Sequence, residues 1–411
     1  MLFESYQMKK IKLTLAVFQA ATALVFLTTH LAFAQTPEKR GEYLARAGDC
    51  ISCHTAPGGQ PFAGGLKMNT PFGYLLTPNI TPDVKTGIGS WSKDEFFRAI
   101  HDGVNKKDQD MYPAMPFTSY AKVSREDVDA IYDYLRTVKP VANEISINHL
   151  AFPFNIRTSM FFWRELFFSP GFFKPDSSQS ASWNRGAYLV EGLGHCSECH
   201  SPRNVMGAIE QSKAFTGALV DGWFALNLTS NLRTGLGSWS AGDIANYLKT
   251  GKYPGKTSAL GPMEEVVHNS TSYLNDADLL AMGVYLKSLP ANSSLNNVNK
   301  VIDKSTLEGA RLYIDNCSGC HQSSGRGIQN VIPPLASNPA VLAPNGSNVV
   351  KVIIRGIGSR NGYIPMPSFA SRLSDEEIAQ LSNYVRGSWG NAAAPNVTEA
   401  MVKHIRANPG I

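Results

Sequence analysis

The sequence lacks a strong charge of either sign, and it also lacks a cysteine outside a regular pattern. Its 411 residues contain 38 Lys and Arg against 33 Asp and Glu, which gives a formal net charge of +5. No basic stripe runs along the chain, and a charge this small argues against nucleic acid as a partner. Composition alone therefore indicates a globular chain, long enough for two to four domains of roughly 100 to 200 residues.

Residues 1–34 have the features of an export signal. Three lysines precede an apolar stretch over residues 13–33, and Ala-Phe-Ala at 32–34 forms a small-x-small cleavage pattern. We predict that residues 1–34 are a cleaved signal peptide. Cleavage removes three lysines and Glu4, which lowers the formal net charge of the chain to +3. The alternative is an uncleaved anchor, because the apolar stretch approaches the roughly 20 residues of a membrane-spanning helix.

The six cysteines form three pairs of identical spacing, and a histidine follows each pair directly. The three Cys-x-x-Cys-His motifs are Cys50, Cys53 and His54; Cys196, Cys199 and His200; and Cys317, Cys320 and His321. An exported chain with six cysteines ordinarily suggests three disulfides. Here all six cysteines belong to the three motifs, so none is left to form a disulfide. Thiols two residues apart reach the two vinyl groups on one porphyrin edge, and the adjacent histidine then lies beneath the iron. A single motif could be a redox pair or half of a zinc site, whereas three indicate c-type haem attachment.

Internal repeats locate the domains. Residues 40–44 match 185–189, and the Thr-Gly-x-Gly-Ser-Trp-Ser run at 86–92 recurs at 234–240, whereas the third motif lacks this run. Each repeat closes with an amphipathic helix whose predicted N-cap is Ser124, Asn275 or Ser374. The first two modules are therefore duplicates, and the third is a more distant copy.

We predict an all-α fold of three tandem cytochrome c-like domains, each a small helical module around one covalently bound haem. The predicted modules span 35–140, 183–290 and 305–392, with linkers over 141–182 and 291–304 and a C-terminal tail over 393–411. Within the first linker, residues 151–173 contain eight phenylalanines. Packing between modules is the simpler explanation for them, and docking to a partner or to the membrane surface is the alternative.

Each module also offers one methionine beside proline that is suited to be the distal haem ligand, namely Met115, Met263 and Met366. Methionine thioether is a common second ligand in cytochromes c, and proline stiffens the loop that holds it. The alternative is that these methionines only fill gaps in the core. Met282 lies on a helical apolar face and is a weaker candidate, and we expect His195 to be a surface or hydrogen-bonding residue.

Several segments together resemble the triheme cytochrome c subunit of bacterial membrane-bound dehydrogenases, which oxidise alcohols, sugars, sugar acids or aldehydes at the periplasmic face. These segments are Tyr-Pro-Ala-Met-Pro at 112–116, Phe-Pro-Phe-Asn-Ile-Arg at 152–157, and residues 183–192. The resemblance implies a separate catalytic subunit that holds flavin, pyrroloquinoline quinone or a molybdenum cofactor. It also implies that electrons leave through three haem c groups to ubiquinone or a terminal oxidase, and that this chain has no catalytic residues of its own.

One departure concerns the membrane. Members of this family often end in a hydrophobic or amphipathic anchor, whereas residues 391–411 are short and mostly polar. Attachment to the membrane surface then falls to the partner subunits, to the Phe-rich linker or to an uncleaved N-terminus. Two other functions stay open: a free periplasmic multihaem electron carrier, and a haem peroxidase in which the site near Met263 has an open coordination position.

Overall fold

The computed structural model describes residues 37–292, 306–358 and 363–408. The predicted signal peptide lies outside the described residues. Of the predicted second linker, the structure describes the first two residues, 291 and 292. Three successive segments, each carrying one Cys-x-x-Cys-His motif, account for most of the described chain, and most of the regular structure is helical. In this part of the chain, no helix has the length and apolar character needed to cross a bilayer.

The helices follow one another in the same order in the three segments. The first segment contains α1 (Pro37–Ala47), α2 (Cys50–Cys53), α3 (Lys93–Phe97), α4 (Phe117–Tyr120) and α5 (Arg125–Leu135). The linker contains α6 (Ser159–Phe167), and the second segment contains α7 (Ala181–Tyr188), α8 (Ser197–His200), α9 (Ala241–Thr250), α10 (Pro262–Asn269) and α11 (Asp276–Ser288). The third segment contains α12 (Thr306–Asn316), α13 (Ser318–His321), α14 (Pro339–Leu342), α15 (Ser347–Arg355), α16 (Asp375–Gly387) and α17 (Glu399–Ala407).

The expectation of an all-α chain is incomplete, because three small antiparallel sheets interrupt the helices. The strands are β1 (Lys67–Thr70), β2 (Gly73–Leu76) and β3 (Asn148–Leu150) in one sheet, β4 (Ala218–Val220) with β5 (Trp223–Ala225), and β6 (Lys252–Tyr253) with β7 (Thr257–Ser258). The turn between β4 and β5 has positive φ at Asp221 (47°) and Gly222 (69°). Two such residues form the tight hairpin loop that matches the twist of the strands. The Asp-Gly pair was the sequence signal for this hairpin.

The first helix of each segment crosses the capped closing helix (α5, α11 or α16) at a glycine. A β-carbon added to this glycine would collide with a backbone carbonyl of the facing helix, so only glycine permits the approach. The distances from that β-carbon to the carbonyl oxygen are 2.0 Å for Gly41 and Ala130, 1.9 Å for Gly186 and Ala281, and 2.6 Å for Gly309 and Gln380. The crossing thus recurs in all three segments, including the one that lacks the longer sequence repeat.

The predicted N-caps of the closing helices are confirmed. The side chain of Ser124 accepts a hydrogen bond from the backbone N–H of Asp127, and Asn275 accepts one from Asp278. Ser374 forms a complete capping box with Glu377. Each cap satisfies a backbone donor that the helix itself leaves unpaired. The closing helix therefore begins at the same position relative to the glycine crossing in each segment.

The first two segments share one hydrophobic core, whereas the third has its own. At the seam between the first two, two equivalent aspartates bind residues of both segments. Asp127 pairs with Arg40 of its own segment (2.5 Å) and accepts a hydrogen bond from Tyr188 of the other (2.6 Å). The equivalent contacts of Asp278 are with Arg185 (2.7 Å) and with Tyr43 across the seam (2.6 Å). Although burial raises the pKa of Asp278, the hydrogen bonds from Arg185 and Tyr43 more than compensate and lower it.

Both the predicted first linker and the predicted tail take part in the folded structure. In the linker, β3 pairs with β2, and Trp163 of α6 is buried beside Phe117. Six of its eight phenylalanines are nevertheless exposed. Four of the eight, Phe154, Phe168, Phe172 and Phe173, contact rings of the neighbouring segments, so packing accounts for about half of them. In the predicted tail, α17 buries Val402 and Ile405 in the third core, so its described part belongs to the third segment's fold.

We predict that Gly186→Ala destabilises the chain, whereas Gly242→Ala does not. The added methyl at residue 186 must push the carbonyl of Ala281 away, which costs on the order of 1–3 kcal/mol in the free energy of unfolding. Gly242 is exposed in α9, and a β-carbon there meets only a side-chain oxygen at 3.7 Å. Replacing this glycine should instead stabilise the helix by about 0.5–1 kcal/mol. Denaturant unfolding of the haem-loaded protein measures both, and equal effects would contradict the tight crossing.

Candidate haem-binding sites

Each Cys-x-x-Cys-His motif folds into a single helical turn shortly after the first helix of its segment, and in the second segment a π-helical stretch, Leu189–Leu193, lies between them. The backbone N–H of the motif histidine donates to the carbonyl of the first cysteine, and the N–O distance is 3.0 Å for His54, 3.0 Å for His200 and 2.9 Å for His321. Residues three apart on such a turn lie on one side of the helix. The two thiols of each motif therefore lie on one side of their turn, as attachment to a single porphyrin edge requires.

The second and third sets of predicted ligands each line one cavity. Cys196, Cys199, His200 and Met263 line the cavity of the second segment. The corresponding cavity of the third segment is lined by Cys317, Cys320, His321 and Met366. Most of the other lining side chains are aliphatic or aromatic, such as Leu228 and Trp239 in the second cavity, so both cavities suit a flat, apolar macrocycle. In the first segment, Cys50 and Met115 pack against the same core and His54 is buried.

Backbone carbonyls orient the motif histidines. His54 Nδ1 lies 2.8 Å from the carbonyl oxygen of Pro78, and His200 Nδ1 lies 2.6 Å from that of Leu226. Because a carbonyl only accepts, the proton of each imidazole is held on Nδ1, and Nε2 keeps the lone pair that binds a metal. Burial lowers the pKa of both histidines, which favours the neutral form that ligates iron.

The third histidine is held less firmly. Burial lowers the pKa of His321, and the carbonyl of Pro333 partly offsets this effect. Among the described residues, however, His321 Nδ1 makes no hydrogen bond of ordinary geometry. The third site thus has the same composition as the other two and a weaker backbone restraint on its histidine.

The thiols have the opposite character from those of a redox enzyme. Burial raises the pKa of Cys50 and of Cys196 to about 12 and that of Cys317 to about 11. A catalytic Cys-x-x-Cys pair requires a lowered pKa, because the thiolate is the nucleophile. Thiols with a raised pKa beside an apolar cavity, as at Cys50, Cys196 and Cys317, fit covalent attachment to a haem better than disulfide exchange.

The structure places the three predicted distal methionines in different local settings. Met115 follows a turn and precedes α4, and Met366 lies in an extended bridge, where it exchanges two backbone hydrogen bonds with Ile357. Met263 instead lies in the first turn of α10, because Pro262 occupies a position where a helix tolerates proline. The expectation that proline keeps this methionine out of a helix is therefore wrong, although its side chain still lines the cavity.

Residues inside the first two motifs contact the neighbouring segment, which sequence reasoning missed. Ser52, the third residue of its motif, accepts a hydrogen bond from Asn269 (2.9 Å), while Thr118 donates to the equivalent residue Glu198 (3.0 Å). His195 is half-buried and not a surface residue, since its ring packs edge-on against Tyr120 and burial lowers its pKa. A hydrogen bond with the backbone of Gly48 partly offsets this effect, so the expectation of a hydrogen-bonding residue is confirmed. The first two motifs therefore face each other across the seam.

We predict that Met263→Leu changes the spectrum of the haem-loaded protein and that Met282→Leu does not. Both methionines line the second cavity, and leucine nearly conserves their volume. Loss of the thioether at residue 263 should leave one iron with an open position and produce a high-spin ferric signal in electron paramagnetic resonance spectra. A high-spin signal already present in the unmodified protein, or one produced by Met282→Leu alone, would contradict the role of Met263.

Comparison with known proteins agrees with this geometry. The cytochrome c family model matches residues 38–139 and 307–389. The gluconate 2-dehydrogenase cytochrome c subunit of Pantoea cypripedii is 40% identical, and the match covers 90% of this chain and 89% of that protein. The cytochrome c subunit of the quinone alcohol dehydrogenase of Gluconobacter oxydans is 37% identical, and the match covers 94% of this chain and 86% of that protein. The fructose dehydrogenase cytochrome subunit of Gluconobacter japonicus is 38% identical, and the match covers 90% of this chain and 82% of that protein.

Members of the cytochrome c family hold haem covalently through the Cys-x-x-Cys-His motif, and the cavities described above fit that group. The relatives are electron-transfer subunits of dehydrogenases and not their catalytic subunits. The match to them runs through all three segments, including the middle one that the family model leaves out. The chain belongs to the family of cytochrome c subunits of dehydrogenases.

Proposed function

We propose that the chain carries three covalently bound haems, one in each of three tandem cytochrome c domains, and transfers electrons for a dehydrogenase. In this proposal a separate catalytic subunit at the periplasmic face of the inner membrane oxidises the substrate. The haem chain accepts the electrons and passes them to ubiquinone or to a terminal oxidase. The chain itself carries out no substrate chemistry.

The observation that carries this proposal is that a histidine and a methionine line the same apolar, cysteine-bearing cavity. When bound, haem supplies one-electron chemistry at its iron. The motif histidine and the methionine would bind the iron, and a methionine ligand raises the potential relative to harder ligands. Carbonyls such as that of Leu226 fix the histidine ring, and the apolar walls limit water. A metal held on both faces suits electron transfer better than binding of a small substrate.

The arrangement of the first two motifs supports a relay rather than three independent sites. Ala47 and Asp49 of the first segment line the cavity of the second. The hydrogen bonds of Ser52 and Glu198 across the seam keep the two motifs adjacent. A fixed relay is what a subunit needs if electrons enter at one end and leave at the other.

The relatives support the class of partner but not one substrate. Cytochrome c subunits of gluconate, alcohol and fructose dehydrogenases are between 37 and 40% identical to this chain. Identities this similar give no reason to prefer one of them. The proposed partner is accordingly a dehydrogenase for a sugar acid, a sugar or an alcohol, with a flavin, pyrroloquinoline quinone or molybdenum cofactor.

We predict that the purified haem-loaded chain is not reduced by gluconate, fructose or ethanol on its own. In the complex with its native catalytic subunit, one of these classes of substrate should reduce all three haems. The reduced complex should then reduce a soluble ubiquinone analogue. Optical absorption of the haems follows both steps. Turnover of a substrate by the isolated chain would contradict the proposal, as would reduction of fewer than three haems in the complex.

We further propose that the linker attaches the chain to the membrane surface. Large apolar side chains are exposed along it and on a loop of the second segment that Trp163 holds beside α6 through a hydrogen bond to the carbonyl of Met206 (2.9 Å). These side chains are Phe152, Phe154, Phe161, Phe162, Leu166, Val205 and Met206, and we call them the aromatic face. Charges are sparse among the neighbouring exposed side chains of the linker, as contact with the acyl boundary of a bilayer requires.

We predict that the double variant Phe161→Ser with Phe162→Ser weakens binding to phospholipid vesicles by at least about tenfold, since burial of each ring contributes about 1.5–3 kcal/mol. The matched control replaces Leu307 and Ile314 with serine, because these two side chains are at least as exposed and lie on α12 of the third segment. Co-sedimentation with vesicles measures both. If the linker variant binds vesicles normally but loses its catalytic subunit, the aromatic face contacts protein and the membrane proposal is wrong.

A further inference from the structure

The cavities of the second and third segments are separated by a single layer of residues. Among the residues that the structure describes, five line both cavities: Thr257, Ser258, Leu260, Ala340 and Asn348. Three of them belong to the β6–β7 hairpin of the second segment and the chain just after it, and two belong to α14 and α15 of the third segment. We call these five residues the partition. Electron tunnelling weakens steeply with the thickness of protein between two redox groups, so the partition is the shortest protein barrier that these two cavities offer.

Asn348 joins the third segment to the β4–β5 hairpin of the second segment, beside the partition. Its amide oxygen accepts a hydrogen bond from the backbone N–H of Phe224 (2.8 Å), and its amide nitrogen donates to the carbonyl of the same residue (3.0 Å). Phe224 is the central residue of β5, so the amide of Asn348 pairs with the strand as a neighbouring strand would. Asn348 is only 4% exposed, and the loss of either bond would leave a partly buried backbone group of Phe224 unsatisfied.

The same contact reaches the proximal ligand of the second site. Leu226 lies two residues after Phe224, and its carbonyl oxygen fixes the imidazole of His200 at 2.6 Å. A residue of the third segment thus holds the strand that orients the histidine of the second segment. Lys351, one turn further along α15, donates to the carbonyl of Asp221 in the hairpin turn (2.6 Å) and strengthens the same alignment without lining either cavity.

We propose that Asn348 is a positioning residue for electron exchange between the second and third haem sites. The inference rests on the proposed function, because it assumes that both cavities hold haem. In the exchange, one electron leaves the ferrous iron of one site and reduces the ferric iron of the other, with no bond formed or broken and no proton required. Asn348 keeps the partition thin and the second histidine aligned while this happens.

The decisive comparison is between Asn348→Leu and Asn383→Leu. Leucine has the same branched shape and the same number of side-chain heavy atoms as asparagine, but it makes neither hydrogen bond. Asn383 offers a matched control, because its amide makes the same pair of bonds to the N–H and carbonyl of Val397 (3.1 and 2.9 Å) within the third segment. Asn348→Ser keeps a group that can accept from Phe224 and serves as a milder second variant if the leucine variant fails to fold.

The experiment uses the full haem-loaded chain without its catalytic subunit. All proteins carry Met366→His in addition, which gives the third haem a distinct spectrum and a lower potential. After a pulse of radiolytically generated electrons, optical absorption follows the movement of electrons from the third haem to the second. Asn348→Leu should slow this phase by about tenfold or more, because small displacements of reacting groups have large effects on rates. Asn348→Ser should slow it less, and Asn383→Leu should leave it within about twofold of the parent.

Equal rates in the parent and the two Asn348 variants would overturn the inference, and so would an equal slowing by Asn383→Leu. The electrons come from the pulse, so this result does not depend on any dehydrogenase. Failure of the proposed function would show separately, as a complex with its catalytic subunit in which the substrate does not reduce the haems.

Discussion

The close crossing of the first helix with the capped closing helix (α5, α11 or α16) is the contact on which each haem site depends. At the crossing, Gly41, Gly186 and Gly309 let two backbones approach to distances that a β-carbon would forbid. The motif begins within a few residues of the end of the first helix, so the crossing also fixes the thiols relative to the closing helix. The intervening chain then supplies the carbonyl behind the histidine and the methionine opposite it. A local motif becomes a site only because this packing holds its two ends together.

The segments are joined in two different ways. The first two merge into one hydrophobic core, and Asp127 and Asp278 make equivalent bonds across their seam, so this pair behaves as one folded unit. The third keeps a separate core and meets the second through the face of α15 against a hairpin. Divergence of the third segment therefore goes together with a different mode of docking. In both modes the joined surfaces contain residues of the haem cavities, which links assembly of the segments to electron transfer.

Sequence reasoning predicted the motifs, the duplicated modules and the three helix caps, because each depends on residues close together in the chain. It did not predict the small sheets, since their strands are two to four residues long and the sequence signals were confined to turn pairs such as Asp221-Gly222 and Pro254-Gly255. It also missed the contacts between segments, such as that of Asn348 with Phe224, because no local pattern records a partner more than a hundred residues away. The predicted ligand sets depend on both local and long-range structure. The spacing in the sequence identified the cysteines and histidines, whereas only the folded chain showed that those of the second and third segments line a cavity together with a methionine.

The central claim is that all three motifs carry haem, and the middle one is the critical case because the cytochrome c family model does not match that part of the chain. Intact mass spectrometry of the protein exported from a host with haem-attachment machinery tests this most directly. Our account predicts a chain that begins at Gln35 and carries the added mass of three haems, and predicts that replacing Cys196 and Cys199 with serine lowers the number to two. A mass with only two haems in the unmodified protein would contradict it.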